Sequence, residues 1–331
     1  MEKIAIVNVR SFGREFPEFI TELEEKVGPV KKFMFPIDVS GRVLAEELKG
    51  YTYVILGTFP TFGREFFENN HDVRLIARHG LGFNNIDLEA ATRHHVYVTK
   101  EENAIERDAV AEQAAALLNA VAKNVVKADG MVHRNEWAVD RQRLMGFQMT
   151  GKTTGVIGFG NIGRRFGQIM KNGYGNRILA YDPFLPKEKA EEAGAELCDL
   201  DTLLRESDFI SLHANLTDAG RHLLDESKFA LMKPTAILIN TARGQLIDEE
   251  ALIRALTEKK IFGYGADVAT QEPIQKENEL LKLDNAVLTP HVAVYNRTCT
   301  ENMNRKVMQD IYLVREGKKP AFIVNQLWEG C

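Results

Sequence analysis

Cysteine is scarce in this chain. Only Cys198, Cys299 and Cys331 occur in 331 residues, far apart. That scarcity excludes a disulfide framework and a cysteine-built zinc site, and makes the reducing cytoplasm the expected compartment. Long apolar runs are missing as well. None approaches the roughly 20 residues of a membrane span. Cationic excess is also absent: 42 Lys and Arg stand against 47 Asp and Glu, a formal charge of -5. No global basic field therefore points to nucleic acid or to an anionic membrane. Repeats, low-complexity segments and long polar tails do not occur. What is present is ordinary for a soluble globular protein: 44% hydrophobic and 27% charged residues, enough for sizeable cores, over a length that suits two domains. The opening Met1–Val7 reads as a strand rather than a signal peptide.

The first hundred residues alternate between two patterns. Ile4–Val9, Lys32–Phe35, Tyr53–Leu56 and Val73–Ala77 are short, apolar and rich in branched side chains, so they are predicted strands. Glu15–Val27 and Gly41–Leu48 between them have helical spacing. This order predicts a parallel sheet with helices on its faces. An Ala- and Leu-rich helix is expected over Asp108–Lys127, with Asp108 as its N-cap. A second alternating series has strands at Thr154–Ile157, Arg177–Tyr181, Phe209–Leu212, Ala236–Ile239, Gly263–Val268 and Ala286–Leu288. It predicts a doubly wound domain. Beyond Asn296 the chain reads helical through Val314.

Gly158-Phe159-Gly160-Asn161-Ile162-Gly163 follows the first strand of that second series and precedes a helix candidate. Alone, such a glycine pattern is weak. In this context it is a dinucleotide fingerprint. Gly158 permits the tight turn, Gly160 lets backbone approach a pyrophosphate, and Gly163 lets the helix close on the strand. Asp182 ends the next strand. A carboxylate there accepts bonds from both ribose hydroxyls and repels a 2′-phosphate, so NAD is the expected cofactor. Pro183-Phe184-Leu185-Pro186 offers no Arg to that phosphate.

Three further residues sit just past apolar runs: Arg243 in Asn240-Thr241-Ala242-Arg243-Gly244, Glu272 in Gln271-Glu272-Pro273, and His291 in Thr289-Pro290-His291. Each alone reads equally well as a surface or turn residue. Together, behind a dinucleotide fingerprint, they match what reduction of a 2-keto acid requires. A guanidinium binds carboxylate and carbonyl oxygen and stabilises the developing oxyanion. An imidazole moves a proton near neutral pH, and a carboxylate fixes its tautomer.

With these residues in view, the sequence resembles the D-isomer-specific 2-hydroxyacid dehydrogenase family, NAD-dependent enzymes interconverting 2-keto and D-2-hydroxy acids. The likeness runs through Arg78-His79-Gly80-Leu81-Gly82-Phe83-Asn84-Asn85-Ile86-Asp87, Ala109-Val110-Ala111-Glu112, the fingerprint, Leu212–Thr217, Asn240–Gly244, Gly265–Val268 and Thr289–His291. The resemblance implies Arg243 as substrate anchor, His291 as acid/base and Glu272 as its partner. It implies amides around Leu81 and Gly82 as the carboxylate site. Asn161, Ile162, Ala214, Asn215, Thr241, Ala242 and Asp267 become cofactor contacts beside Gly158, Gly160, Gly163 and Asp182. The implied fold is a Rossmann doubly wound coenzyme domain, residues 102–295, inserted into a smaller flavodoxin-like α/β substrate domain, residues 1–101 and 296–331. No metal is implied, and a homodimer paired through the Ala-rich helix is.

Departures from the family pattern are Asn84 for a frequent Asp and Asn215 for a frequent Pro. Gly57–Phe62 holds no cation before Arg64, which disfavours the alternative of a 3-phosphoglycerate dehydrogenase. Glu272 in place of Gln disfavours a formate dehydrogenase. Tyr295 resembles the Tyr of the His-x-x-x-Tyr of D-lactate dehydrogenases, and a packed wall Tyr reads equally well. An NAD-binding corepressor-like interaction module is the alternative from another class. Turnover of 2-keto acids separates it from an enzyme.

Overall fold

The structure, a computed structural model, describes residues 2–137, 140–217 and 220–325. Cys331 lies outside them. Two compact units divide the chain: Met1–Glu106 with Val294–Cys331, and Arg107–Ala293. The expected crossings were 101–102 and 295–296.

The first unit holds five strands, β1 (Ile4–Val7), β2 (Val30–Phe33), β3 (Tyr53–Leu56), β4 (Leu75–Arg78) and β5 (Tyr97–Thr99). They lie parallel in the order β2-β1-β3-β4-β5, the flavodoxin-like order. Every residue of β1, β3 and β4 is buried. Such strands are covered on both faces, which is why they read as continuous apolar runs rather than as alternation. Helices α1 (Glu18–Lys26), α2 (Gly41–Glu47), α3 (Arg64–Asn69) and α4 (Leu88–Arg93) connect them. On one face Leu44, Phe62, Phe66 and Phe67 pack together. On the other, Phe12, Phe16 and Phe19 pack with residues of the last helix: Val307, Met308 and Ile311.

Helix α5 (Asn103–Ala122) contains the first crossing, and α6 (Val125–His133) follows. Here the expected helix over 108–127 is corrected. It starts five residues earlier, because Ala104, Ile105, Glu106 and Arg107 are themselves compatible with a helix. Asp108 is therefore inside the helix, and its carboxylate pairs with Arg107 and Arg165 instead of capping. The helix stops at Asn124, which takes a left-handed conformation with φ 52°. Asn tolerates this region better than most residues.

The second unit holds β6 (Thr153–Ile157), α7 (Asn161–Tyr174), β7 (Arg177–Tyr181), α8 (Lys187–Glu192), β8 (Glu196–Leu197), α9 (Leu200–Glu206), β9 (Phe209–Leu212), α10 (Glu226–Phe229), β10 (Ile237–Asn240), α11 (Glu249–Thr257), β11 (Gly263–Ala266) and β12 (Ala286–Leu288). Its parallel sheet has the order β12-β11-β10-β9-β6-β7-β8, that of a Rossmann domain with an added edge strand. Strand order reverses between β6 and β9, and ligands of such sheets bind at the carboxyl ends beside that switch point. The two short strands β5 and β8 were not anticipated. The last helix, α12 (Arg297–Arg315), returns to the first unit. Asn296 caps it by accepting from the Cys299 amide. No described helix is long and apolar enough to cross a membrane.

Candidate active site

Strand β6 delivers the chain to Gly158, whose φ is +86°. A Cβ at Gly158 would lie 2.5 Å from the Ala214 amide nitrogen, and one at Gly163 would lie 2.1 Å from the Gly158 carbonyl oxygen. Both positions need glycine, one to let the β9 loop approach and one to seat α7. At Gly160 nothing lies within 4 Å of the Cβ position, so this backbone is open at the amino end of a 14-residue helix. Such an end attracts a pyrophosphate.

Asp182 follows β7. Its carboxylate accepts from the amides of Phe159 and Phe184, each at 3.0 Å, which ties the fingerprint turn to the β7 end. Ala214 and Asn215 follow β9, Thr241 and Ala242 follow β10, and Asp267 follows β11. These strands neighbour β6 in order, so the residues share the carboxyl edge of one sheet. The Thr241 hydroxyl is buried with no hydrogen-bond partner among the described residues. An open glycine backbone, a strand-end acid and an orphaned hydroxyl along one edge fit a dinucleotide.

Arg243 lies on the turn after β10, and the Asn240 side chain shapes that turn. It accepts from the Ala242 amide (3.0 Å) and donates to the Arg243 carbonyl (2.9 Å). Gly244 follows, and a Cβ there would lie 2.2 Å from the Ala269 carbonyl carbon. The lack of a side chain brings the Arg243 turn against the loop carrying Glu272. In that loop one Glu272 oxygen accepts from the Ala269 amide at 3.0 Å. The other meets His291 Nδ1 at 2.8 Å. Burial pushes the Glu272 carboxyl up, but the His291 bond and charge, the Ala269 amide and the Arg243 charge together outweigh it and hold it below its ordinary value. An ionised carboxylate only accepts, so Nδ1 carries the hydrogen and Nε2 is the ring nitrogen left for other partners. Among the described residues nothing bonds to Nε2.

The second unit thus brings Arg243, Glu272 and His291 together. Leu81 and Gly82 lie in the first unit, on the loop after β4. Tyr295, 63% exposed, also belongs to the first unit.

Sequence reasoning missed how the histidine is held. His291 has φ +55°. Its turn is anchored by Asp267, 1% exposed, whose carboxylate accepts from the Val292 amide (2.9 Å), the Ala293 amide (2.8 Å) and the Thr289 hydroxyl. The one available signal was a lone acid at a strand end, which does not name its partners.

A doubly wound sheet with a glycine fingerprint at its switch point and Arg, Glu and His on adjoining loops defines a dinucleotide-dependent oxidoreductase. The profile described as D-isomer specific 2-hydroxyacid dehydrogenase, NAD binding domain, matches residues 115–293. The chain is 38% identical over 318 residues to a glyoxylate reductase of Thermococcus litoralis, covering 95% of each. It is 39% identical over 285 residues to a D-3-phosphoglycerate dehydrogenase of Methanocaldococcus jannaschii, covering 85% of this chain but 53% of that one. The apo structure of D-lactate dehydrogenase from Escherichia coli superposes with a TM-score of 0.84 at 32% identity, covering 97% of this chain and 99% of that one. The chain belongs to the D-isomer-specific 2-hydroxyacid dehydrogenase family, and it is an NAD-dependent oxidoreductase acting on a 2-hydroxy acid.

Proposed function

We propose that this enzyme reduces a small, unphosphorylated 2-keto acid, with glyoxylate the first candidate, and that His291 is its acid/base. The observation carrying this reading is the 2.8 Å bond between Glu272 and His291 Nδ1 on a loop packed against the Arg243 turn. Bound NADH supplies the hydride. Arg243 holds the substrate carboxylate and carbonyl oxygen in its planar fork. The His291 Nε2 proton goes to the carbonyl oxygen as charge develops there, and the Glu272 carboxylate stabilises the imidazolium before that transfer. Amides near Leu81 and Gly82, on the loop after β4, are further candidates for binding the substrate carboxylate. On this reading 107–293 is the coenzyme domain and the first unit the substrate domain. Several glyoxylate reductases among the relatives and the cation-free loop after β3 support a small substrate.

Val125, Val126, Val132, Trp137 and Met145 are exposed apolar residues in and after α6. This patch supports a homodimer formed there. The scattered cysteines support a cytoplasmic location.

The test is NADH oxidation with glyoxylate, pyruvate, hydroxypyruvate, longer 2-keto acids and 3-phosphohydroxypyruvate. Glyoxylate or pyruvate should give the highest kcat/KM. A preference for the phosphorylated acid would overturn the substrate reading, and turnover of none would favour an interaction role.

A further inference from the structure

Behind the loop that follows β4 lies a group of ionisable side chains that the proposed reaction does not use. Arg78, 4% exposed, ends β4 and turns its guanidinium back under the chain. Its Nη1 donates to the Leu56 carbonyl at 3.2 Å and to the His79 carbonyl. A Cβ on Gly80 would lie 2.8 Å from that nitrogen, and Gly80 has φ +143°. The guanidinium therefore sits directly against Gly80, where only glycine fits. The Glu101 amide donates to the Gly80 carbonyl at 3.3 Å. His79 Nε2 meets Asn304 Oδ1 on α12 at 2.9 Å. The segment entering the loop is thus held from β3, β5 and α12.

The Glu101 side chain is 0% exposed, and among the described residues neither carboxyl oxygen has a hydrogen-bond partner. The groups that face it are Arg78 from β4, Glu106 from α5, and Lys306 and Asp310 from α12, with Cys299 nearby. Lys306 is already committed to Asp310 at 2.5 Å, and Thr99 bonds the same oxygen. A bare carboxylate in such a place costs far more than the uncharged acid.

We propose that Arg78 is a positioning residue for the loop Gly80–Asn85, and that Glu101 stands beneath that loop as an uncharged acid which does not draw Arg78 away from the Leu56 and His79 carbonyls. An ionised Glu101 would compete for the guanidinium and loosen its hold on His79 and Gly80. Burial pushes the Glu101 carboxyl well above its ordinary value, helped by the nearby Glu106 and Asp310 charges and against the pull of Lys306 and Arg78. The consequence for the reaction rests on the reading above that Leu81 and Gly82 receive the substrate carboxylate. The consequence for the fold does not.

Two measurements on the full chain test this. Arg78→Lys keeps the charge but loses the planar guanidinium that packs against Gly80. It should raise the keto-acid KM roughly tenfold or more while the NADH KM stays within about twofold. An unchanged keto-acid KM, or an equal rise in both constants, would overturn the positioning role. If Arg78→Lys does not fold, or if the wild type reduces no keto acid, Glu101→Gln still decides the second half. An acid whose folded-state pKa is raised loses stability as pH rises above its unfolded value of about 4.5. Glutamine removes that loss. The thermal midpoint of Glu101→Gln should therefore exceed that of the wild type near pH 8, with the difference shrinking towards pH 5. A lower midpoint for Glu101→Gln near pH 8 would show that the carboxylate is the working form and overturn the proposal.

Discussion

On the proposed reaction, His291 is the single side chain whose removal separates chemistry from binding. His291→Ala should lower kcat by ~10²–10⁴-fold, the usual contribution of general acid catalysis, with NADH affinity little changed. A near-normal kcat would mean another acid, with Tyr295 the first to examine. Glu272→Gln should cost less in kcat and move the pH profile instead. The lost carboxylate had favoured imidazolium. Reduction, which needs the protonated ring, should therefore fail at lower pH than in the wild type, and oxidation should extend to lower pH. Rate profiles in both directions check this. Asp182→Ala should narrow the preference for NADH over NADPH, since a 2′-phosphate would no longer face a carboxylate. It should also loosen the fingerprint turn, because the bonds to the Phe159 and Phe184 amides go with it. Equal kcat/KM for both cofactors in the wild type would sink that reading.

At the scale of elements, the site depends on loops held against one another by glycines and short polar side chains. Gly244→Ala puts a methyl group against the backbone of Ala269 and Thr270, which cannot swing aside as a side-chain tip can. We expect a loss of about 1–3 kcal/mol in stability and a fall in kcat as Arg243 and Glu272 separate. Thermal midpoint and kcat measured together check this. A variant with wild-type kcat would mean that the spacing of the two turns is unimportant. The fingerprint was legible at this scale because the tight turn and helix seat require glycine at local positions. The start of α5 was not, because Asp108 has the side chain of an N-cap but finds Arg165, 57 residues away, as a partner. Local preference lost to a tertiary ion pair.

For the whole molecule, two partly buried histidines bear on acid stability. Burial pushes the His79 ring down to about 4 and the His213 ring down to about 3. The unfolded chain takes up these protons at about pH 6.5 while the folded chain does not, so stability should fall progressively as pH drops from there towards 3. Thermal midpoints across that range, with His79→Gln as comparison, should show a shallower fall in the variant. Assembly is checked by sedimentation. The wild type should run as a dimer at micromolar concentration, and Val126→Asp should shift it towards monomer, because a charge in an apolar contact is left unpaired. A wild-type monomer would refute the dimer.

The sequence by itself determined the class of fold and singled out the nucleotide turn and the three side chains of the proposed chemistry. Each depends on short-range rules: buried parallel strands are apolar throughout, tight turns need glycine, and strand ends carry the polar residues that meet ligands. Only the tertiary structure decided how those side chains are held. Asp267 reaches amides 25 and 26 residues away, Thr99 meets Asp310 across 211 residues, and His79 meets Asn304 across 225. Such partners are set by packing of distant elements, which no local spacing encodes. The burial that leaves Glu101 without a bonding partner among the described residues exists only once α12 has closed over the end of β4.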